Sequence, residues 1–356
     1  MDTLTRLRHD PGNNEFKGTR VMVGSHTTAF AFAIALIAAP AMAQQTFTLK
    51  IASVTQNDPT VDFMKMYKEK IEARSNGRIK GELYPAAQLG GIPNLVQGIL
   101  LGTIEMYATP PTFFKGADIR YTVTDAPGLF DSIEHGHRSI NDPEFRETFV
   151  NAGAAKGVRG ISLFMYGPTG YATTFAVHKL DDFKGKKFRV LASAIETGIM
   201  REVGAAGVPM DFAEILPALQ NKTIDGVRSN ASVMGGAKFF TVAKFLIDVQ
   251  DTMIPSAGMA STAWLEKLPA DLRKAVEDVG RECDEEMLKV AQQYAANAAK
   301  LWADNGAQVI KLSPEDKAEF MKRARSVGDQ VLGSDPQTKE LYETLKRVAD
   351  KHRKKS

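Results

Sequence analysis

The chain has 356 residues, 44% of them hydrophobic and 24% charged, and a formal net charge of +3. That length exceeds the about 250–300 residues one core usually sustains, so two domains are expected. The small charge, without a basic stripe carrying interleaved aromatics, excludes a nucleic-acid binder, and the single cysteine, Cys283, excludes an internal disulfide framework.

Residues 29–43 form an apolar, alanine-rich run that ends in Ala41-Met42-Ala43 before Gln44. The run is shorter than the about 20 residues that span a bilayer. Arg20 and His26 precede it, and Ala-x-Ala fits a signal-peptidase site. Residues 1–43 therefore read as a secretory signal, with translation from Met1 or Met22, and the mature protein is expected in the periplasm. No later segment reaches transmembrane length.

Residues 46–54 alternate as a strand, with Phe47, Leu49 and Ile51 on one face. Asp58-Pro59 reads as a helix cap followed by proline at the first helical position. Phe63, Tyr67 and Ile71 then recur at helical spacing until Gly77. A strand over 79–84, a helix opened by Gly90-Gly91-Ile92-Pro93 and ended by Gly102, and a strand over 104–108 complete a β-α-β-α-β order. That order predicts a mostly parallel open sheet.

The middle predicts a helix over about 143–155 and a strand over 158–166, broken by Gly167-Pro168-Thr169-Gly170. A second α/β unit follows: strand 171–177, turn 181–187, strand 188–191 and helix 194–204. Runs 239–250 and 259–263 read as strands. From Leu268-Pro269 to Trp302, apolar residues at helical spacing predict a helix of over thirty residues, at least ~45 Å long and able to brace two domains. Ser313-Pro314-Glu315-Asp316 caps a further helix, and 339–351 is the last.

No dinucleotide fingerprint, P-loop or nucleophile elbow is present. Glu134-His135-Gly136-His137 is the one metal-like cluster, and its setting favours a surface turn over a metal site. No catalytic residue and no cofactor is expected. Arg189 alternates with Phe188 and Val190, so it faces away from the side those two bury. Its planar guanidinium suits a carboxylate; a salt bridge on the sheet rim is the alternative. Arg228 is the second candidate, or a partner of Asp225. Tyr171, Phe175, Phe212 and Trp264 lie near predicted strand ends, where core roles compete with ligand contact.

At these residues the chain resembles a known family, the DctP-like solute-binding components of the tripartite ATP-independent periplasmic (TRAP) transporters. The resemblance runs from about Phe47 to Val348. It is carried by Tyr84-Pro85-Ala86-Ala87-Gln88-Leu89-Gly90, by Lys184-Gly185-Lys186-Lys187-Phe188-Arg189-Val190 and by Gly207-Val208-Pro209-Met210. It continues in Ala218-Leu219-Gln220-Asn221-Lys222-Thr223-Ile224-Asp225-Gly226 and in Leu265-Glu266-Lys267-Leu268-Pro269-Ala270-Asp271-Leu272.

The resemblance implies an α/β, two-domain periplasmic-binding-protein architecture with open mixed sheets, crossing strands and one long helix spanning both domains. Domain I would hold 44–167 plus about 256–295, and domain II 168–255 plus about 296–356. A carboxylate ligand would lie between them on Arg189, with Gln88, Tyr171, Phe212, Arg228 and Ser229 lining the cleft. The partners implied are a small organic acid and the small and large integral membrane subunits of a TRAP transporter, with the receptor a monomer.

Many relatives carry Asn-Pro after the Asp-Gly pair, where this chain has Val227-Arg228-Ser229-Asn230, and Arg189-Val190 runs into Leu191 instead of proline. A second ligand arginine of sialic-acid binders is absent near Gly170-Tyr171, which argues against sialic acid and leaves an aromatic acid or a small dicarboxylate. The rival readings are a periplasmic enzyme acting on a carboxylic acid, with His178 as the nearest base, a ligand-sensing partner of a membrane receptor, and a binding protein of an ATP-driven importer.

Overall fold

The computed structural model describes residues 45–353. The expected signal segment lies outside the described residues. Strand β1 (Phe47–Ala52) leads into α1 (Pro59–Arg74), which starts where the sequence says it should. The Asp58 carboxylate accepts from the Val61 amide at 3.2 Å, and Pro59 takes the first helical position. Phe63, Tyr67 and Ile71 are buried. Strand β2 (Ile79–Tyr84) pairs parallel with β1. Helix α2 (Ile92–Leu101) ends on Gly102, whose φ of 75° needs a residue without a Cβ. Strand β3 (Met106–Thr109) pairs parallel with the other edge of β1.

Two 3-10 turns, Pro111–Phe114 and Ile119–Asp125, precede α3 (Ile133–Asn141) and α4 (Pro143–Asn151). The Glu134–His137 stretch is thus the first turn of a helix capped by Ser132, not a surface turn. Both histidines are buried, and His135 Nε2 lies 2.7 Å from the Ala349 carbonyl. No group of three or more potential ligands able to hold a metal ion occurs among the described residues.

Strand β4 (Val158–Thr173) runs through the expected break at Gly167-Pro168. Gly167 takes a φ of 136° and the pairing register shifts there and again between Gly160 and Ser162. The extra residues bend the strand instead of ending it.

Then come β5 (Lys187–Val190), α5 (Ala194–Glu202), β6 (Ala206–Pro209), α6 (Ile215–Gln220), β7 (Gly226–Asn230), α7 (Ala231–Gly236) and β8 (Phe245–Ile247). After these are β9 (Met253–Ser261), α8 (Thr262–Lys267), α9 (Ala270–Asp304), β10 (Gln308–Ile310), α10 (Pro314–Gly333) and α11 (Pro336–His352). The run 239–250, expected as one strand, yields only the three residues of β8.

The strand order is β2-β1-β3-β9-β4-β7-β5-β6, with β8 joining β4 to β10. Pairs β1/β2, β1/β3, β5/β6 and β5/β7 are parallel, whereas β9 and β4 are antiparallel to their neighbours. The sheet is therefore mixed. Its first parallel half reaches its second through β9 and β4, so the crossing strands are present.

Helix α9 has 35 residues, about 52 Å at 1.5 Å per residue. It rests on β4 beside the Leu163 amide. Asp284 accepts from that amide at 2.8 Å and from the Ser162 hydroxyl at 2.6 Å, and pairs with Arg146 at 2.9 Å. At Gly280 the helix backbone meets the strand, and a Cβ there would collide with the Ile161 carbonyl. Gly280→Val is expected to destabilise the fold by about 3 kcal/mol, the upper end of the usual overpacking cost, because backbone must move. Thermal denaturation checks this, and an unchanged midpoint would contradict the contact.

Candidate functional site

The carboxyl ends of the parallel strands meet at a cavity of about 40 Å³. In open α/β sheets this is where ligands bind. Ser53, Val54 and Thr55 follow β1, and Thr60 stands at the start of α1. Ile92 opens α2, and Ala108, Thr109 and Pro110 close β3, with Phe113 beyond them. From the other half of the sheet come Tyr166, Arg189, Leu191, Phe212, Ser229 and Val233.

Local structure explains the rim. Ala86 and Ala87, inside the Tyr84–Gly90 motif, both take positive φ, at 53° and 58°. Left-handed alanines cost on the order of 1–2 kcal/mol each and persist only where the surroundings demand them. Here the Ala86 amide donates to the Thr55 carbonyl at 2.9 Å and the Ala87 amide to the Ser53 carbonyl at 3.0 Å. The motif thus clamps the segment that forms one wall. The N-cap of α2, Gly91, has no side chain, and Asp211 replaces it from the β6 side by accepting from the Ile92 amide at 3.0 Å. The Tyr166 hydroxyl donates to Asp58, the same carboxylate that caps α1.

Arg189 is 1% exposed and, among the described residues, has no carboxylate partner within ion-pair distance; its Nε donates to the Met210 carbonyl at 3.2 Å. Burial pushes its guanidinium down to about 10, and the charges of Glu196 and Asp211 only partly oppose this. A buried cation without a counter-charge in contact is costly and is the group an anion would satisfy. Thr109 Oγ1 is also buried in this region, beside the buried Tyr107 hydroxyl.

Of the residues singled out from the sequence, the fold brings Arg189, Phe212 and Ser229 to the cavity. It does not bring the other three there. Gln88 is exposed on the Tyr84–Gly90 turn. Arg228 precedes Ser229 in β7, so strand alternation turns it to the opposite face. There it is fully buried and paired with both Glu196 and Asp251, while its Nε donates to Tyr171 Oη at 3.0 Å and its Nη2 to Thr252 Oγ1 at 2.8 Å. Burial alone would lower Arg228, but the two carboxylates outweigh it and hold it well above the ordinary value.

Tyr171 is equally buried, edge-on to Phe183, Phe188 and Phe320 at 5.4–5.8 Å. Trp264 is core, Phe175 packs on Phe188, and His178 is exposed away from the cavity. Beside the buried ion cluster, Asp125 is pushed up to about 7 by burial and by Glu196. Sequence reasoning missed Ser53, Thr55, Thr60, Thr109 and Tyr166. The available signal was the place of Ser53, Thr55, Thr109 and Tyr166 at or just past the ends of predicted strands and of Thr60 at a predicted helix start.

The family described as bacterial extracellular solute-binding protein, family 7 (DctP) matches residues 51–334. The C4-dicarboxylate-binding periplasmic protein DctP of Vibrio cholerae is 26% identical over 288 residues, 78% of this chain and 84% of its own. A TRAP periplasmic solute-binding protein from Desulfovibrio salexigens, solved with bound orotic acid, superposes with a TM-score of 0.82 at 20% identity, covering 86% of this chain and all of that one. Another, from Sulfitobacter sp. NAS-14.1 with bound β-D-galacturonate, gives 0.78 at 21% identity over 84% of this chain and 99% of its own.

Proposed function

The chain belongs to the bacterial extracellular solute-binding protein family 7, the DctP group, and from that premise we propose a receptor that closes around an organic acid and hands it to the membrane subunits of a TRAP transporter. The role is binding, not turnover. The observation that carries the acid is Arg189, a buried guanidinium at the wall of the strand-end cavity with no carboxylate partner within ion-pair distance among the described residues. A ligand carboxylate would supply the missing charge, and in a water-excluded site that pairing is stronger than in solvent. The acids named for the relatives are consistent with this reading.

We further propose that 44–167 with about 256–295 and 168–255 with about 296–356 act as two domains. Strands β4 and β9 cross between them and α9 spans them. Asp211 reaching the α2 amide, and the Lys115 ammonium donating to the Ala192 carbonyl, would be contacts of the closed state. The ligand would favour closure because it touches both sides, and the membrane subunits would read that closure. Small-angle scattering with a saturating acid tests this. The radius of gyration is expected to fall on binding, and tight binding without compaction would contradict it.

A further inference from the structure

We infer that the cavity selects a compact monocarboxylate with an apolar body over a dicarboxylate or a polyhydroxylated sugar acid. This rests on the reading that Arg189 receives the carboxylate, and it follows from what else the cavity offers.

Among the described residues lining the cavity, Arg189 is the one cation. Arg228, next to Ser229 in β7, lies on the other face of its strand and is held by two carboxylates. A second ligand carboxylate would thus be buried without a counter-charge, which is strongly unfavourable. It would also share the site with Asp58, which stands behind the Tyr166 hydroxyl.

The walls are chiefly apolar: Val54, Ile92, Phe113, Leu191, Phe212 and Val233. Part of the polar lining is already committed. The Ser53 and Thr55 hydroxyls bond each other at 3.1 Å, and the Tyr166 hydroxyl is spent on Asp58. Thr60, Thr109 and Ser229 complete the polar lining, enough for only a few further polar atoms close to the acid. A sugar acid would bring several hydroxyls into a site with few groups to receive them, and unpaired buried hydroxyls lose affinity.

The test is calorimetric titration of the purified protein, at one pH and salt concentration, with 3-methylbutanoate, benzoate, succinate and D-galacturonate. The wild type and Arg189→Met are compared. At least one of the two monocarboxylates is expected to bind tenfold or more tighter than succinate and galacturonate, with that binding lost in Arg189→Met. Succinate or galacturonate binding as tightly as the monocarboxylates, and lost in Arg189→Met, would overturn the selectivity while leaving the carboxylate reading intact. Failure of both monocarboxylates to bind would also overturn the selectivity. Binding of any of the four that Arg189→Met leaves unchanged would overturn the carboxylate reading itself.

Discussion

Arg189→Ala is expected to weaken acid binding by thirty-fold or more while leaving the ligand-free protein about as stable as the wild type. Truncating one partner of a buried charge pair typically costs ~2–5 kcal/mol, and 2 kcal/mol is already about thirty-fold. The ligand-free effect differs because the partner is missing there. Arg189 is 1% exposed, makes a single hydrogen bond through Nε and has its guanidinium pushed down to about 10 by burial. Removing it deletes an unpaired buried charge as well as some packing, and the two effects oppose each other. Arg189→Lys should fall between, since an ammonium keeps the charge but loses the two-pronged geometry. Calorimetric titration with ligand and thermal denaturation without it check the two halves. Affinity retained within threefold would contradict the first half.

Arg228→Met should do the reverse: destabilise the protein strongly whether or not ligand is present. Its three guanidinium nitrogens hold Glu196, Asp251, Tyr171 and Thr252 in a site with no exposure. Breaking a buried pair by removing one partner costs ~3–5 kcal/mol, which for a chain of this size lowers the midpoint by about 10 °C. The deficit should depend on pH with a definite sign. Without the cation, burial raises Glu196 further above its unfolded value, since it already raises it with the cation present. An acid raised on folding favours the folded state when protonated and opposes it as the pH climbs through the raised value. The variant should therefore lag further behind the wild type at pH 8 than at pH 5. Denaturation curves at both values would show this, and an equal deficit at the two would contradict the pairing.

These two arginines also show where sequence reasoning reaches and where it stops. The alternation Phe188-Arg189-Val190 sufficed to turn Arg189 away from the core face, because both neighbours are large and apolar. Val227-Arg228-Ser229 carries the same information in principle, but the partners that consume Arg228 are remote. Glu196 lies 32 positions away and Asp251 lies 23, and only the packing of α5 and the segment before β9 brings them together. Local signals were legible where the chemistry is local. Asp58-Pro59 starts α1, Gly102 stops α2, and apolar spacing gives the 35 residues of α9.

The Gly167-Pro168 pair misled because its usual meaning is a stop. Here β9 on one side and β7 on the other keep β4 extended through a bulge. The cavity wall was illegible for another reason. Val54, Ile92, Leu191 and Val233 look like ordinary core residues in the sequence, and only the convergence of strand ends turns them toward one another.

The central claim is that the unpaired charge of Arg189 is completed by a ligand carboxylate. Crystallography of the protein with the tightest acid from the titration series tests it most directly. The account predicts the carboxylate on the Arg189 guanidinium at hydrogen-bonding distance, about 2.7–2.9 Å, with the rest of the ligand against Phe212, Leu191 and Val233. An acid seated elsewhere, with Arg189 still lacking a carboxylate, would contradict it.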